Sequence, residues 1–190
     1  MAIGNTEIEI KIPLEKDEFL RIRENLRSNA RFLNSSHQVD EYFSPAHRDF
    51  LKPQHPFEWL RIGKRSGKTI INYKHWYPEN ADKTTHCDEF ETVVHSPEQL
   101  RLIFGSLDMR PLVTVDKQRD IFVHNNELEI ALDEVKELGY FMEIETMKDF
   151  GSVDAARDAL FSFARSLNID ASRYVPRGYP FLLMEKRGLM

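Results

Sequence analysis

The sequence predicts an α+β fold: an eight-stranded antiparallel β-barrel with three helices packed on the outside. Three observations predict it. Eight runs are strand-like, most of them alternating in character with period two, three stretches have helical spacing, and Gly- or Asn-containing turns separate successive strands. At 190 residues, with 41% hydrophobic and 30% charged side chains, the chain can bury one full core. We read it as a single domain, 1–190, with a core at about 5–168 and a C-terminal extension, 169–190.

The first strand is Thr6–Ile12, T-E-I-E-I-K-I. Alternation puts Glu7, Glu9 and Lys11 on one face and Ile8, Ile10 and Ile12 on the other. Pro13 is expected to open a helix over Leu14–Arg27, with Phe19, Ile22 and Leu26 on its buried side. A second helix follows Ser96, where a cap residue precedes Pro97 and Glu98, and a third spans Ser152–Leu167. The remaining strands are His37–Phe43, Phe57–Lys64, Lys68–Trp76, Cys87–His95, Val113–Val123, Glu127–Asp133 and Phe141–Thr146. Ser66-Gly67 and Asn125-Asn126 read as hairpin turns, and Pro45–Pro56 and Pro78–Thr85 as the longest loops.

Several strands carry like charges on one face: Glu89 with Glu91, Glu129 with Asp133, and Glu143 with Glu145. One strand with a charged face is ordinarily just a sheet surface in water. Val113–Val123 breaks that reading, because Lys117 and Arg119 share their face with Val113, Val115, Ile121 and Val123. Cations on an apolar face need an anionic partner. Arg61 raises the same issue, with Gly63 next along its face, and Lys74 lies two places after Asn72. The pattern suits a barrel with a charged lumen and an apolar exterior buried under helices. Cations and carboxylates together suit a polyphosphate with a divalent metal.

Other signals are weaker. The seven histidines fall at no zinc-helix spacing, and no glycine-rich phosphate loop occurs. Trp59 and Trp76 read as outer core aromatics, and Cys87 as a small buried residue that allows no intrachain disulfide. A net charge of −5 argues against nonspecific nucleic-acid binding. No apolar run approaches membrane-spanning length and no signal peptide is evident, so the expectation is a reduced, cytoplasmic, soluble protein.

The motif E-I-E-I-K at Glu7–Lys11 resembles the E-x-E-x-K signature of the CYTH superfamily, the triphosphate tunnel metalloenzymes. Further matches follow in order: D-E-Y-F-S-P-A-H-R-D-F at Asp40–Phe50, E-W-L-R-I at Glu58–Ile62, K-H at Lys74, E-F-E at Glu89–Glu91, V-D-K-Q-R at Val115–Arg119, and I-A-L-D-E-V-K-E-L-G-Y-F-M-E-I-E at Ile130–Glu145. The resemblance implies a tunnel that binds a triphosphate with Mg²⁺ or Mn²⁺. By motif position, Lys11, Arg61, Lys74, Lys117 and Arg119 would contact phosphates, while Glu7, Glu9, Asp133, Glu143 and Glu145 would serve the metals. Glu91 could join the metals or an arginine.

Within the superfamily the chain looks most like the class IV adenylyl cyclase subgroup, which implies conversion of ATP to cyclic AMP and pyrophosphate. Those cyclases tend to carry His-Phe six residues before the first Glu, where this chain has Met1 and Ala2. That departure keeps a triphosphatase open, acting on thiamine triphosphate, inorganic triphosphate or a nucleotide. A non-enzymatic triphosphate-binding domain is the third reading. The implied partner is a small-molecule triphosphate, ATP in the first instance, and a homodimer is compatible with an exposed barrel edge.

Overall fold

The computed structural model describes residues 6–65 and 67–190. Its elements in chain order are β1 (Thr6–Glu7), β2 (Glu9–Leu14), α1 (Lys16–Asn29), β3 (Arg31–Pro45), β4 (Glu58–Arg65), β5 (Lys68–Tyr77), β6 (His86–Val94), α2 (Pro97–Ser106), β7 (Met109–His124), β8 (Leu128–Val135), β9 (Gly139–Thr146), α3 (Val153–Ser166), a 3-10 turn (Ala171–Arg173) and α4 (Tyr179–Lys186). The strands form one sheet in the order β1-β6-β5-β4-β3-β7-β8-β9-β2. Its two terminal strands, β1 and β2, are consecutive in the chain and separated only by Ile8. That is the connectivity of an antiparallel barrel, as expected, with the first strand broken in two to give nine strands rather than eight.

Two expectations need correcting. Pro13 does not start a helix: it lies in β2 opposite Phe141. Strand β2 ends the sheet order, and a strand with one neighbour tolerates a residue lacking N–H. The helix begins later because Glu15 and Glu18 close a capping box around its first turn. The C-terminal extension holds a fourth helix, α4, and a 3-10 turn. Of the Ser66-Gly67 turn, Ser66 lies outside the described residues, while Gly67 takes the positive φ (79°) such a turn requires.

The chain divides into two compact units. One comprises Gln38–Asp116 and Gly178–Met190 with Thr6; the other comprises Glu7–His37 and Lys117–Arg177. In the second unit, β2, β8 and β9 bury Ile10, Ile12, Ile130, Leu132, Met142 and Ile144 beneath α1 and α3, which contribute Phe19, Ile22, Leu26, Leu160 and Ala164. Register places Ile10 opposite Ile144 and Ile12 opposite Met142, so the apolar row is continuous across strands. Glu9, Lys11, Glu143 and Glu145 are thereby directed to the opposite face. In the first unit, Phe43, Ile62 and Phe104 form a smaller cluster that seats α2. Helices thus cover the apolar faces and leave the charged faces clear.

The segment from the end of α3 to Arg177 is tied to the second unit. Arg173 reaches both Glu18 carboxylate oxygens at 2.8 Å, Arg21 donates to the Leu167 carbonyl, and the Val175 N–H donates to the Lys11 carbonyl. No helix among the described residues is long and apolar enough to cross a membrane.

Leu160 has no exposed surface and stands in the core of the second unit. Leu160→Ala should lower unfolding free energy by about 2–5 kcal/mol in urea titrations, through lost transfer energy and a residual cavity.

Candidate functional site

In the second unit the charged face is built by strand register. Arg119 lies opposite Asp133, Lys11 opposite Glu143, and Glu145 opposite both Glu9 and Glu129. Two rows result. In one, cations and carboxylates neutralise each other: Arg119 forks onto Asp133 at 2.7 and 2.5 Å and also pairs with Glu143. Lys11 Nζ is 3.0 Å from Glu143 and donates to the Arg177 carbonyl, while Lys117 Nζ is 3.9 Å from Asp133. Asp133 is wholly buried and Lys117 is 4% exposed, so this is a desolvated network.

The other row holds carboxylates side by side. Oxygens of Glu7, Glu9 and Glu145 lie within 4.8 Å of one another. Same-sign groups so placed repel unless a cation joins them. An all-oxygen, triply anionic set suits a hard divalent ion such as Mg²⁺ or Mn²⁺. Glu129, opposite Glu145, has its carboxyl raised by burial, with Arg119 opposing and Glu143 adding to the rise.

Electrostatics separates Glu143 from that group. Burial alone would raise its carboxyl, but Arg119, Lys11 and Lys117 outweigh burial and hold it well below the usual carboxylate range.

In the first unit, β4 directs Trp59, Arg61, Gly63 and Arg65 to one face. Register aligns Arg61 with Tyr42 and Asn72, and Trp59 with Lys74. Lys74 Nζ is 3.7 Å from Glu89 and 5.8 Å from the centre of the Trp76 ring. Asn72 donates to Glu89 at 2.5 Å and to Glu91 at 3.1 Å, so Glu91 bonds an amide among the interactions described. Asp40, 1% exposed, accepts both guanidinium nitrogens of Arg65 at 2.7 and 2.9 Å. Arg61 is held more loosely, 3.8 Å from Asp40 and 3.5 Å from the Tyr42 hydroxyl. Burial opposes its charge, yet Asp40 and Tyr42 hold it protonated above its ordinary value.

Of the ten residues picked from sequence, Lys11, Lys117, Arg119, Asp133 and Glu143 form one network, Glu7, Glu9 and Glu145 a second, and Arg61 and Lys74 lie on the charged face of the first unit. The outer placement expected for both tryptophans is overturned. Trp59 is opposite Lys74 and Trp76 opposite Cys87, on the same face as Arg61 and Asn72. Cys87 is buried as expected. Sequence reasoning missed Asp40, Arg65 and Tyr42. The Arg-x-Gly-x-Arg alternation of β4, which puts Arg65 on the Arg61 face, and the motif match at Asp40–Phe50, which contains Asp40 and Tyr42, were the available signals.

A depressed carboxyl stabilises the fold above its unfolded value and loses that contribution as pH falls through the folded value. Urea midpoints should therefore hold steady down to about pH 4.3, the unfolded Glu value, and decline below it. Glu143→Gln should remove part of that decline and cost about 3–5 kcal/mol at neutral pH, because three cations lose a shared partner.

The CYTH domain family matches residues 5–179. A Methanocaldococcus jannaschii protein described as a "putative adenylate cyclase" is 28% identical over 184 residues, 96% of this chain and 99% of that protein. A Pyrococcus horikoshii protein of known structure is 28% identical with a TM-score of 0.79, covering 95% of this chain and 99% of that one. A Hippeastrum structure, described as a "putative adenylyl cyclase" that "reveals a dominant" triphosphatase activity, is similar in fold, with a TM-score of 0.65 at 17% identity and coverage of 97% and 96%. The family match spans nearly the whole sequence, and the chain belongs to the CYTH domain family.

Proposed function

We propose that this protein is a metal-dependent enzyme that binds an organic triphosphate and cleaves it, with ATP cyclisation to cyclic AMP and pyrophosphate as the first reading. One observation carries the proposal: the Glu9–Glu145 pair lies two residues along the same strands from the Lys11–Glu143 pair. A carboxylate row beside a cation network matches the two halves of a metal–polyphosphate complex.

Glu7, Glu9 and Glu145 would hold Mg²⁺ or Mn²⁺, which when bound supplies charge neutralisation and Lewis acidity at phosphate oxygens. Lys11, Lys117 and Arg119 would take the phosphates in the second unit, and Arg61 and Lys74 in the first. Asp133 and Glu143 occupy the cations of the second unit in the present arrangement. Phosphate oxygens would replace those carboxylates on Arg119 and Lys11, leaving Asp133 and Glu143 able to serve the metals. The exchange keeps every cation paired throughout, so binding carries no cost of burying an unpaired charge.

For cyclisation, the ribose 3′-oxygen attacks the α-phosphorus and the bond to the bridging oxygen breaks, with pyrophosphate leaving. The cations would hold that leaving charge in place, an electrostatic contribution made before the reaction begins. Trp76, beside Lys74 on the charged face of the first unit, offers an apolar platform to a nucleobase. It supports an organic triphosphate over inorganic triphosphate.

Hydrolysis at the terminal phosphorus is the second reading. The sequence supports it where Met1 and Ala2 replace the His-Phe of similar cyclases. The described charged groups also serve either chemistry, since all of them suit phosphates and metals rather than a ribose hydroxyl.

Incubation with ATP and Mn²⁺ or Mg²⁺ should give cyclic AMP and pyrophosphate, resolved by chromatography, with none from 3′-deoxy-ATP. ADP and phosphate from both nucleotides, with faster turnover of tripolyphosphate, would establish the hydrolase instead. Excess chelator should abolish turnover in either case. Arg119→Ala should lower kcat/KM by about a hundredfold, since one charge-assisted phosphate fork is worth about 1.5–3 kcal/mol.

A further inference from the structure

Gly63 is the tunnel-strand residue for which the proposed phosphate chemistry has no use, and the space beside it is occupied. A Cβ at position 63 would overlap Asp40 Oδ1 and stand 3.2 Å from Arg65 Nη1. Register explains why: Asp40 is directly opposite Gly63 in the β3–β4 pair. Arg65, two residues further along the same face of β4, folds back over this notch. There it forks onto both Asp40 oxygens and also donates to the Lys64 carbonyl at 2.9 Å. Any side chain at position 63 would have to displace Asp40 or Arg65.

The charges around the notch are unequal. One buried carboxylate faces two guanidiniums, and Arg65 takes the fork. Arg61 is left 3.8 Å from Asp40, with a 3.5 Å contact to the Tyr42 hydroxyl and no hydrogen-bond partner for its Nε. A buried carboxylate cannot stay charged without a close cation. If Arg65 were absent, Asp40 would draw on Arg61, which already stands within ion-pair distance. A guanidinium committed to a buried fork presents fewer donors to an incoming anion.

We infer that Arg65 is a positioning residue: by occupying Asp40 through the Gly63 notch, it keeps the Arg61 guanidinium available to the phosphates of the substrate. The inference rests on the triphosphate reading of this face and deepens it. Arg65 acts through Asp40 and need not touch substrate. Asp40 in turn aligns both arginines, and Gly63 is small because this arrangement requires it. The same logic makes the effect reversible, since removing the carboxylate should release Arg61 even when Arg65 is gone.

The test uses the full chain with Mg²⁺ and inorganic tripolyphosphate as the probe, read by calorimetry, alongside the Arg61 Nε–Hε resonance, assigned by its loss in Arg61→Lys. Arg65→Ala should weaken tripolyphosphate binding by about tenfold, and the added Asp40→Asn change should restore it to within about threefold of the unaltered protein. The Arg61 resonance should shift in Arg65→Ala as Asp40 engages it, and return in the double variant. Should Arg65→Ala fail to fold, Arg65→Lys, which keeps a charge without the fork, carries the same comparisons with a smaller shift. Unchanged affinity in the single variant, or a double variant as weak as the single one, would overturn the inference and leave Arg65 a structural residue. If the unaltered protein bound neither tripolyphosphate nor ATP, the triphosphate reading would fail. The Arg61 resonance would still decide whether Arg65 governs Arg61, and an unmoved resonance would overturn that too.

Discussion

Like charges held side by side on a sheet face must be neutralised, and that constraint organises the second unit. Register leaves the strands no freedom here: Lys11 faces Glu143, Arg119 faces Asp133, and Glu145 stands between Glu9 and Glu129. The first two pairs cancel within the protein. In the glutamate row the direct cross-strand neighbours Glu9, Glu145 and Glu129 share one sign. At about 4 Å, two unit charges repel by roughly 4 kcal/mol at a near-surface dielectric, comparable to a large part of a domain's net stability. A divalent ion turns that repulsion into attraction. The fold supports the strained face by burying the opposite one completely: Ile10, Ile12, Ile130, Met142 and Ile144 expose no surface beneath α1 and α3.

The first unit holds its cations differently. Lys74 and Arg61 are held at longer range than the Arg65–Asp40 fork, restrained rather than locked. Lys74 rests between Glu89 and the Trp76 ring, and Arg61 between Tyr42 and a carboxylate already committed to Arg65. A phosphate-binding group needs to be preorganised but not already spent. In the second unit Lys11 and Arg119 are paired with Glu143 and Asp133 and must exchange partners to bind an anion. The first keeps Arg61 in reserve. Two ways of storing positive charge thus occur in one chain.

Alternation was enough to find the charged faces from sequence, because side-chain direction in a strand depends only on parity. Glu9, Lys11, Lys117, Arg119, Asp133 and Glu143 all fall where parity puts them. Partners across strands were not legible, since register is a tertiary property; Asp40 with Arg65, and Glu129 with Glu145, needed the pairing itself. Trp59 and Trp76 were misplaced by the habit of assigning aromatics to cores, although their parity matches Arg61 and Lys74. Pro13 misled because its helix-starting preference is also compatible with a terminal strand. Helix α4 was missed because Y-P-F-L-L-M-E-K is short, with Tyr179, Pro180, Leu183 and Met184 all buried, and so lacks an extended polar and apolar alternation.

The cation network and the glutamate row, on this reading, are two parts of one metal–triphosphate site. A crystal structure with a non-hydrolysable ATP analogue and Mn²⁺ tests it most directly. Anomalous Mn²⁺ density is expected at Glu7, Glu9 and Glu145, with phosphate oxygens on Lys11 and Arg119 in place of Glu143 and Asp133. An analogue bound elsewhere, with the Arg119–Asp133 and Lys11–Glu143 pairs intact and no metal at the glutamates, would contradict it.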